Sequence, residues 1–454
     1  MSTPRQFTIW INRMSDGTFG THAWSGEGEA TGTLQTSALP THLRSVQPPG
    51  QLSRDLTRAA PLPEGREADA LGDGLYRALF SGDVRDLLQR SRAAAEEHQQ
   101  CLQLSLQVDP SDRQVAWLDG VEWELLHDDA EGFLALHPAW TMARYLLSPS
   151  SLKPLPFARP LRILVVIAKP AGLPPLALDA ERLKVEAAWQ ASGSAEVVLV
   201  QPPTVHALST QLMREKPFHI VHFMCHGTFD ESSGKGYLLL EDDSREVNAV
   251  EGQVLAIHLQ GRCPPSLVVL NACHSATGGP KPLSAVAASL VRRAGIPAVL
   301  AMKAPIADAS AVAFSMELHE ALAAGLSVDS AVTAARRALH ARHPDRFDWA
   351  IPSLYLRAAR SGVTEPPPVR QAASSSPQER EQRTRIDDTL DIGLLKAREA
   401  TFTNVLKEGE AVDGFDIRAV SITNKTTIGT VDVDKFDRAG LIERAPRERE
   451  PKPE

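Results

Sequence analysis

From about residue 161 to residue 357 the chain alternates short apolar runs with segments of helical spacing, the pattern of a parallel sheet covered by helices on both faces. Strands are expected at Leu161–Ala168, Glu196–Val200, Phe218–Cys225, Ser266–Asn271, Pro297–Met302 and Pro352–Leu356. Helices are expected over Leu178–Ala191, after the candidate N-cap Thr204, and over Leu283–Ala294 before Gly295. Two more start after Asp308 and Ser327 and stop at Gly325 and near Pro344. Gly234–Glu241 reads as a hairpin strand off the main sheet, followed by a short helix near Val250–His258.

Two of these runs end in reactive side chains: His219–Gly227 closes on His226-Gly227, and the run from Leu267 leads into Cys273. Neighbouring strands lie roughly 4.8 Å apart, and chemistry in open α/β sheets sits at the C-terminal strand ends. An imidazole and a thiol leaving adjacent strands there come within reach of each other. The thiolate is the attacking species, so a base beside the thiol makes it a nucleophile. Gly227 lets the backbone approach a carbonyl, and its N–H together with that of Cys273 is assigned to an oxyanion hole.

On these residues the sequence resembles the CHAT family of caspase-like cysteine peptidases, in the clan of caspases, metacaspases, gingipains and separase. The matching segments are Val221-His222-Phe223-Met224-Cys225-His226-Gly227, Val268-Val269-Leu270-Asn271-Ala272-Cys273-His274-Ser275-Ala276, Gly295 to Met302 and Asp348 to Leu356. Trp123-Glu124-Leu125-Leu126 and Arg162 to Val166 fit as well, so the likeness covers about residues 70 to 358. The resemblance implies a three-layer αβα fold with a mostly parallel sheet of about six strands. It also implies endopeptidase activity through a Cys-His dyad, His226 with Cys273, held in check until a partner or signal arrives. In metacaspases an acid two positions before the cysteine binds a basic side chain; here that position is Asn271, without charge.

Asp230 and Asp308 are alternative acids for a substrate pocket, set against a solvated loop residue and the N-cap of a helix Ala309–Ala324 respectively. His274 is a candidate substrate contact or simply a loop histidine. The four-residue spacing of His222 and His226 falls in a strand context without His-Glu-x-x-His, so no metal is expected, and no cofactor. Cys225 and Cys263 read as buried thiols, and Gly278-Gly279-Pro280 as a wall of the cleft. A scaffold that keeps the fold without the chemistry is the alternative function.

The remaining organisation follows from patterning. Residues 1–66 form an N-terminal β-rich region and linker, with a few antiparallel strands between 6 and 38. Leu71–His98 has one helical side made by Leu75, Leu79, Val84, Leu87 and Leu88; Cys101–Val108 alternates like a strand with one buried face; Trp123 reads as a core anchor. The peptidase-like domain is expected at 67–360, divided into 67–158 and 159–360. A Pro/Ser-rich linker follows at 361–385, with Arg380, Arg383 and Arg385, and then a small extension at 386–454 for regulation or interaction. Four scattered cysteines exclude a disulfide framework, a net charge of -8 argues against nucleic acid, and no apolar run reaches membrane length. A cytoplasmic protein acting on a protein substrate, with an activating partner at the N-terminal region or the C-terminal extension, is expected.

Overall fold

In chain order the strands are β1 (Arg5–Arg13), β2 (Phe19–Ser25), β3 (Gly28–Thr33), β4 (Leu102–Gln107), β5 (His127–Asp128), β6 (Gly132–Phe133) and β7 (Trp140–Leu147). They continue with β8 (Leu161–Ile167), β9 (Ala195–Val200), β10 (Ile220–Asp230), β11 (Lys235–Glu241) and β12 (Val247–Glu251). The last three are β13 (Leu267–His274), β14 (Ala298–Met302) and β15 (Pro352–Ala358). The helices are α1 (Arg66–Leu79), α2 (Gly82–Glu97), α3 (Leu178–Ser192), α4 (Val205–Leu212), α5 (Gly252–Leu259), α6 (Pro282–Ser289), α7 (Asp308–Ala323) and α8 (Val328–Arg342).

The structure, a computed structural model, describes residues 4–39, 66–108, 115–147, 160–173, 178–213, 216–230, 233–260, 264–274, 282–304 and 306–358. At 38, 66–67, 116, 272–274, 282 and 358 the description covers the main chain alone. All of these residues belong to one compact unit, Met1–Glu365. Cys263, Gly278-Gly279-Pro280, the linker arginines and the C-terminal extension lie outside the described residues.

Strands β8, β9, β10, β13 and β14 pair in parallel, as βαβ crossovers require, in the order β9-β8-β10-β13-β14. The path from β8 through α3 to β9 runs one way along the sheet, and the return through α4 to β10 runs the other. Right-handed crossovers then put α3 and α4 on opposite faces. α3, α7 and α8 pack together as one layer, α4, α5 and α6 as the other, so the expected α/β layering holds.

The strand count does not match. Among the described residues the sheet has thirteen strands rather than about six. Beyond β14 it continues through antiparallel β15 to parallel β7, β4 and β1, and then to antiparallel β2 and β3. Phe7, Ile9 and Ile11 of β1 are fully buried in the same core. The hairpin placed off the main sheet also belongs to it, because β10 runs to Asp230, beyond its last pairing with β8 at Met224↔Ile167. The edge exposed there is taken by β11 from His226↔Leu239 onward.

β4 departs from its expected single buried face: all six residues are buried, since β1 and β7 flank it and α8 covers the face that carries Gln103. Its polar side has a partner, Gln103 donating to Asp329 Oδ2 at 2.8 Å, where Thr141 also donates at 2.9 Å. The single helix expected over Leu71–His98 is two, broken at Ser81, whose backbone is extended, and Gly82, at φ +52°. A left-handed residue there is cheapest as glycine.

A buried ion cluster joins β7 and the segment at Glu124 to the neighbouring ends of β14 and β15. Glu124 accepts from Arg144 Nε at 3.1 Å, Arg144 Nη2 at 2.8 Å, Lys303 Nζ at 3.1 Å and Ser353 Oγ at 2.7 Å. Burial alone would raise the Glu124 carboxyl, but the charges of Arg144 and Lys303 hold it well below the ordinary range. Nearby, Trp123 is 1% exposed and donates its indole N–H to Leu118 O at 2.9 Å, the core anchor expected. Removing one partner of such a cluster leaves buried charge uncompensated. Glu124→Ala is therefore expected to lower the unfolding free energy by about 3–5 kcal/mol in urea denaturation; a loss below about 1 kcal/mol would show that the cluster is hydrated or replaceable.

Candidate active site

The runs ending in His226 and Cys273 form neighbouring strands, paired in parallel from Ile220↔Leu267 to Gly227↔His274. In this register His226 is the partner position of Cys273. On its other side His226 pairs with Leu239 of β11, and Gly227 with Leu238. The histidine therefore stands where the neighbour of β10 changes from β8 to β11, at the C-terminal end of the parallel ladder. That is the end where open α/β sheets carry their chemistry. The His226 side chain is 2% exposed.

Beneath these positions, between the sheet and the α3/α7 layer, the strands carry a buried polar chain. Asn271, two residues before Cys273, donates Nδ2 to Glu181 Oε1 at 2.5 Å and to Ser315 Oγ at 3.0 Å. Ser315 donates to the same Glu181 oxygen at 2.6 Å. His222, four residues before His226, has Nε2 3.3 Å from Glu181 Oε1, close but not aligned as a hydrogen bond. Its Nδ1 lies 3.0 Å from His319 Nε2, with the two rings stacked, and His319 Nδ1 accepts from Trp189 Nε1 at 2.9 Å.

The indole can only donate, which fixes the protons along this chain. His319 accepts at Nδ1, so its proton is on Nε2 and is given to His222 Nδ1. The His222 proton is then on Nε2, facing the Glu181 carboxylate. Burial, and after it the neighbouring His222, hold the His319 imidazole well below the ordinary histidine value, so the ring is neutral. Burial, then the Glu181 charge, push the Cys225 thiol up to about 12. Cys225 is fully buried, as the apolar-like thiol expected.

The other candidates are placed as follows. Asn271 is fully buried, with its amide engaged inside the core. His274 is the last residue of β13, in register with Gly227. Asp230 closes β10 opposite Lys235, and its Oδ2 accepts from Ser233 Oγ at 2.6 Å. Asp308 does not cap its helix: the N-cap position is Ala307, and Asp308 is the first helical residue, where a negative charge complements the helix dipole. Thr204 does cap α4, accepting from Ala207 N at 3.2 Å.

Sequence reasoning missed Glu181, Ser315 and His319. The signal was present as polar residues inside apolar helical stripes: Glu181 with Val185 and Trp189 on α3, and Ser315 and His319 with Ala311 and Leu318 on α7. A further grouping of possible ligands, Asp73, His127 and Asp129, has its donor atoms within 4.8 Å of one another. His127 Nδ1 is already 2.7 Å from Asp73 Oδ1.

Residues 69–363 match the family model of the CHAT domain, more than half of the chain, and the protein belongs to that family. No curated protein matches the sequence. Among solved structures, the chain is similar to the Arg-specific cysteine proteinase gingipain R, at 11% identity and a TM-score of 0.37, over 64% of this chain and 72% of that one. It is also similar to separase in the Saccharomyces cerevisiae separase–securin complex, at 12% identity and a TM-score of 0.38, over 78% of this chain and 30% of that one. A secreted C11 cysteine protease from Bacteroides thetaiotaomicron matches at 13% identity and a TM-score of 0.29, over 40% of this chain and 59% of its own. Among the described residues no helix is long and apolar enough to cross a membrane.

The neutral state of His319 makes stability depend on pH. Its folded pKa is depressed while the unfolded chain takes up a proton near 6.5, so the stability it supports is full above 6.5 and falls as the pH drops below it. Between about pH 7.5 and about pH 5.5 the parent is expected to lose about 1.4 kcal/mol more than His319→Gln in denaturant titrations. Equal losses in the two proteins would mean that the ring is protonated in the folded state.

Proposed function

We propose that the chain is a cysteine endopeptidase in which His226 and Cys273 form the reacting pair. The observation that carries this reading is the register that makes the two residues partners on adjacent parallel strands at the C-terminal end of the ladder. Membership of the CHAT family supports it. In the proposed reaction His226 takes the Cys273 proton, and the thiolate sulfur bonds to the substrate carbonyl carbon. The N–H groups of Gly227 and Cys273 receive the developing oxyanion. The tetrahedral species collapses with cleavage of the C–N bond, His226 returning the proton to the leaving amine, and a thioester remains on Cys273. Water, deprotonated by His226, then attacks the thioester, and the thiol leaves with the proton.

Asp230, His274 and Asp308 remain the proposed contributors to substrate selection; Asn271, expected among them, is fully buried with its amide bonded to Glu181 and Ser315, and is withdrawn from that role. The family resemblance further supports a regulated enzyme acting on one dedicated protein in the cytoplasm, within a bacterial immune or cell-death pathway. An activating partner would engage the N-terminal region or the C-terminal extension.

Cys273→Ala and His226→Ala, assayed against a peptide library, are expected to lower turnover by more than about 10³-fold while the thermal midpoint stays near that of the parent. A thiol-reactive peptide probe should label Cys273 selectively and lose that selectivity in His226→Ala. Parental cleavage by Cys273→Ala, or equal labelling of all four cysteines in the native protein, would refute the assignment and leave the non-catalytic scaffold.

A further inference from the structure

One buried carboxylate lies against both strands of the proposed dyad. We propose that Glu181 is a positioning residue for Cys273: it fixes the end of β13 through its hydrogen bond with Asn271, and its negative charge sets the pH at which the Cys273 thiolate forms. The inference rests on the reading of His226 and Cys273 as base and nucleophile.

The geometry supports the first half. A single oxygen, Glu181 Oε1, accepts from Asn271 of β13 at 2.5 Å and from Ser315 of α7 at 2.6 Å, and lies 3.3 Å from His222 Nε2 of β10. Asn271 is two residues from Cys273 and His222 four from His226, both within the ladder that aligns the pair. Asn271 and His222 are fully buried, and Glu181 is 2% exposed. A displacement at the hub is therefore transmitted along stiff, packed strands rather than absorbed by solvent.

The second half follows from what surrounds the charge. Its described partners are an amide, a hydroxyl and an imidazole, dipoles that hold a negative charge without cancelling it. The titratable group facing it is His222 from β10, with His319 of α7 behind that ring; Cys225, on the opposite face of β10, feels its charge at longer range. On α3 itself Arg182 is paired with Glu186 at 2.9 Å and Lys184 is exposed; on α7 Glu317 is paired with Arg342 at 2.6 Å and Glu320 is exposed. Among the described residues no arginine or lysine meets Glu181 as Arg144 and Lys303 meet Glu124; its one ion-pair neighbour is the His222 imidazole, 3.3 Å away. Its field reaches Cys225, the residue next to His226, whose thiol is raised by burial first and by this charge second. A buried charge in this position disfavours thiolate at neighbouring sites and is weakly screened by salt.

The test uses the full chain and the rate of iodoacetamide alkylation at Cys273 as a function of pH, read by peptide mass analysis. Glu181→Gln, isosteric and able to accept the same bonds from Asn271 and Ser315, should move the alkylation midpoint down by about half a pH unit at both low and high salt. Ser315→Ala keeps the charge and should leave the midpoint at the parental value. An unchanged midpoint in a folded Glu181→Gln overturns the electrostatic role and leaves Glu181 a packing residue. Should that variant fail to fold, Asn271→Ser decides on the positioning role. Its maximal rate of inactivation by a peptide probe should fall at least about fivefold with unchanged probe affinity, and a parental rate overturns the proposal. Failure of the dyad reading is separate, because the parent's own Cys273 alkylation would then be insensitive to His226→Ala.

Discussion

The parallel ladder between β10 and β13 is the constraint on which the rest depends, because it alone decides which residue of one strand stands beside which residue of the other. Both strands are apolar and buried on both faces, and apolar contact by itself tolerates a shift of two residues, which preserves the facing of every side chain. The polar residues remove that freedom. With His226 beside Cys273, Asn271 meets Glu181 and Ser315, and His222 meets His319. A two-residue slip would carry the amide roughly 6–7 Å along the strand and strand a buried carboxylate without its donors. The buried hub thus acts as a key for the register, a role in which polar groups add uniqueness where apolar burial adds only stability.

Two buried carboxylates are handled in opposite ways. Glu124 is met by Arg144 and Lys303, with Ser353 completing the shell, so the cluster is strongly ionic. Glu181 is met by neutral donors, and the proton positions around it are fixed from one end by the Trp189 indole. The first arrangement ties segments distant in sequence into one rigid body. The second leaves a charge that adds to burial in raising the thiol of Cys225.

Much of this was legible in the sequence, and the misses have physical causes. The six expected strands and the five associated helices occur within a few residues of their expected bounds, because β-branched runs and helical stripes are local signals. The adjacency of His226 and Cys273 also follows from counting strands. The size of the sheet does not: whether β4, β7 and β1 extend it or form a separate layer depends on edge pairing across long separations, which no local pattern encodes. β4 misled for the same reason, since Gln103, Ser105 and Gln107 look solvent-facing until Asp329 and Tyr145 arrive from elsewhere in the chain. Glu181 was legible as an acid in an apolar stripe, but its partners on α7 lie more than a hundred residues away.

The extended sheet bears on the site itself. Lys303 follows β14, the strand next to β13, and β15 begins opposite Met302, so the Glu124 cluster lies at the same end of the sheet as Cys273. Arg144 brings β7 to that cluster, and β7 is paired through β4 to β1. The N-terminal strands are consequently joined by an unbroken succession of strand pairings to the strand that carries Cys273. A segment that reads as an appended β-rich module from its sequence is, in structural terms, the continuation of the same sheet.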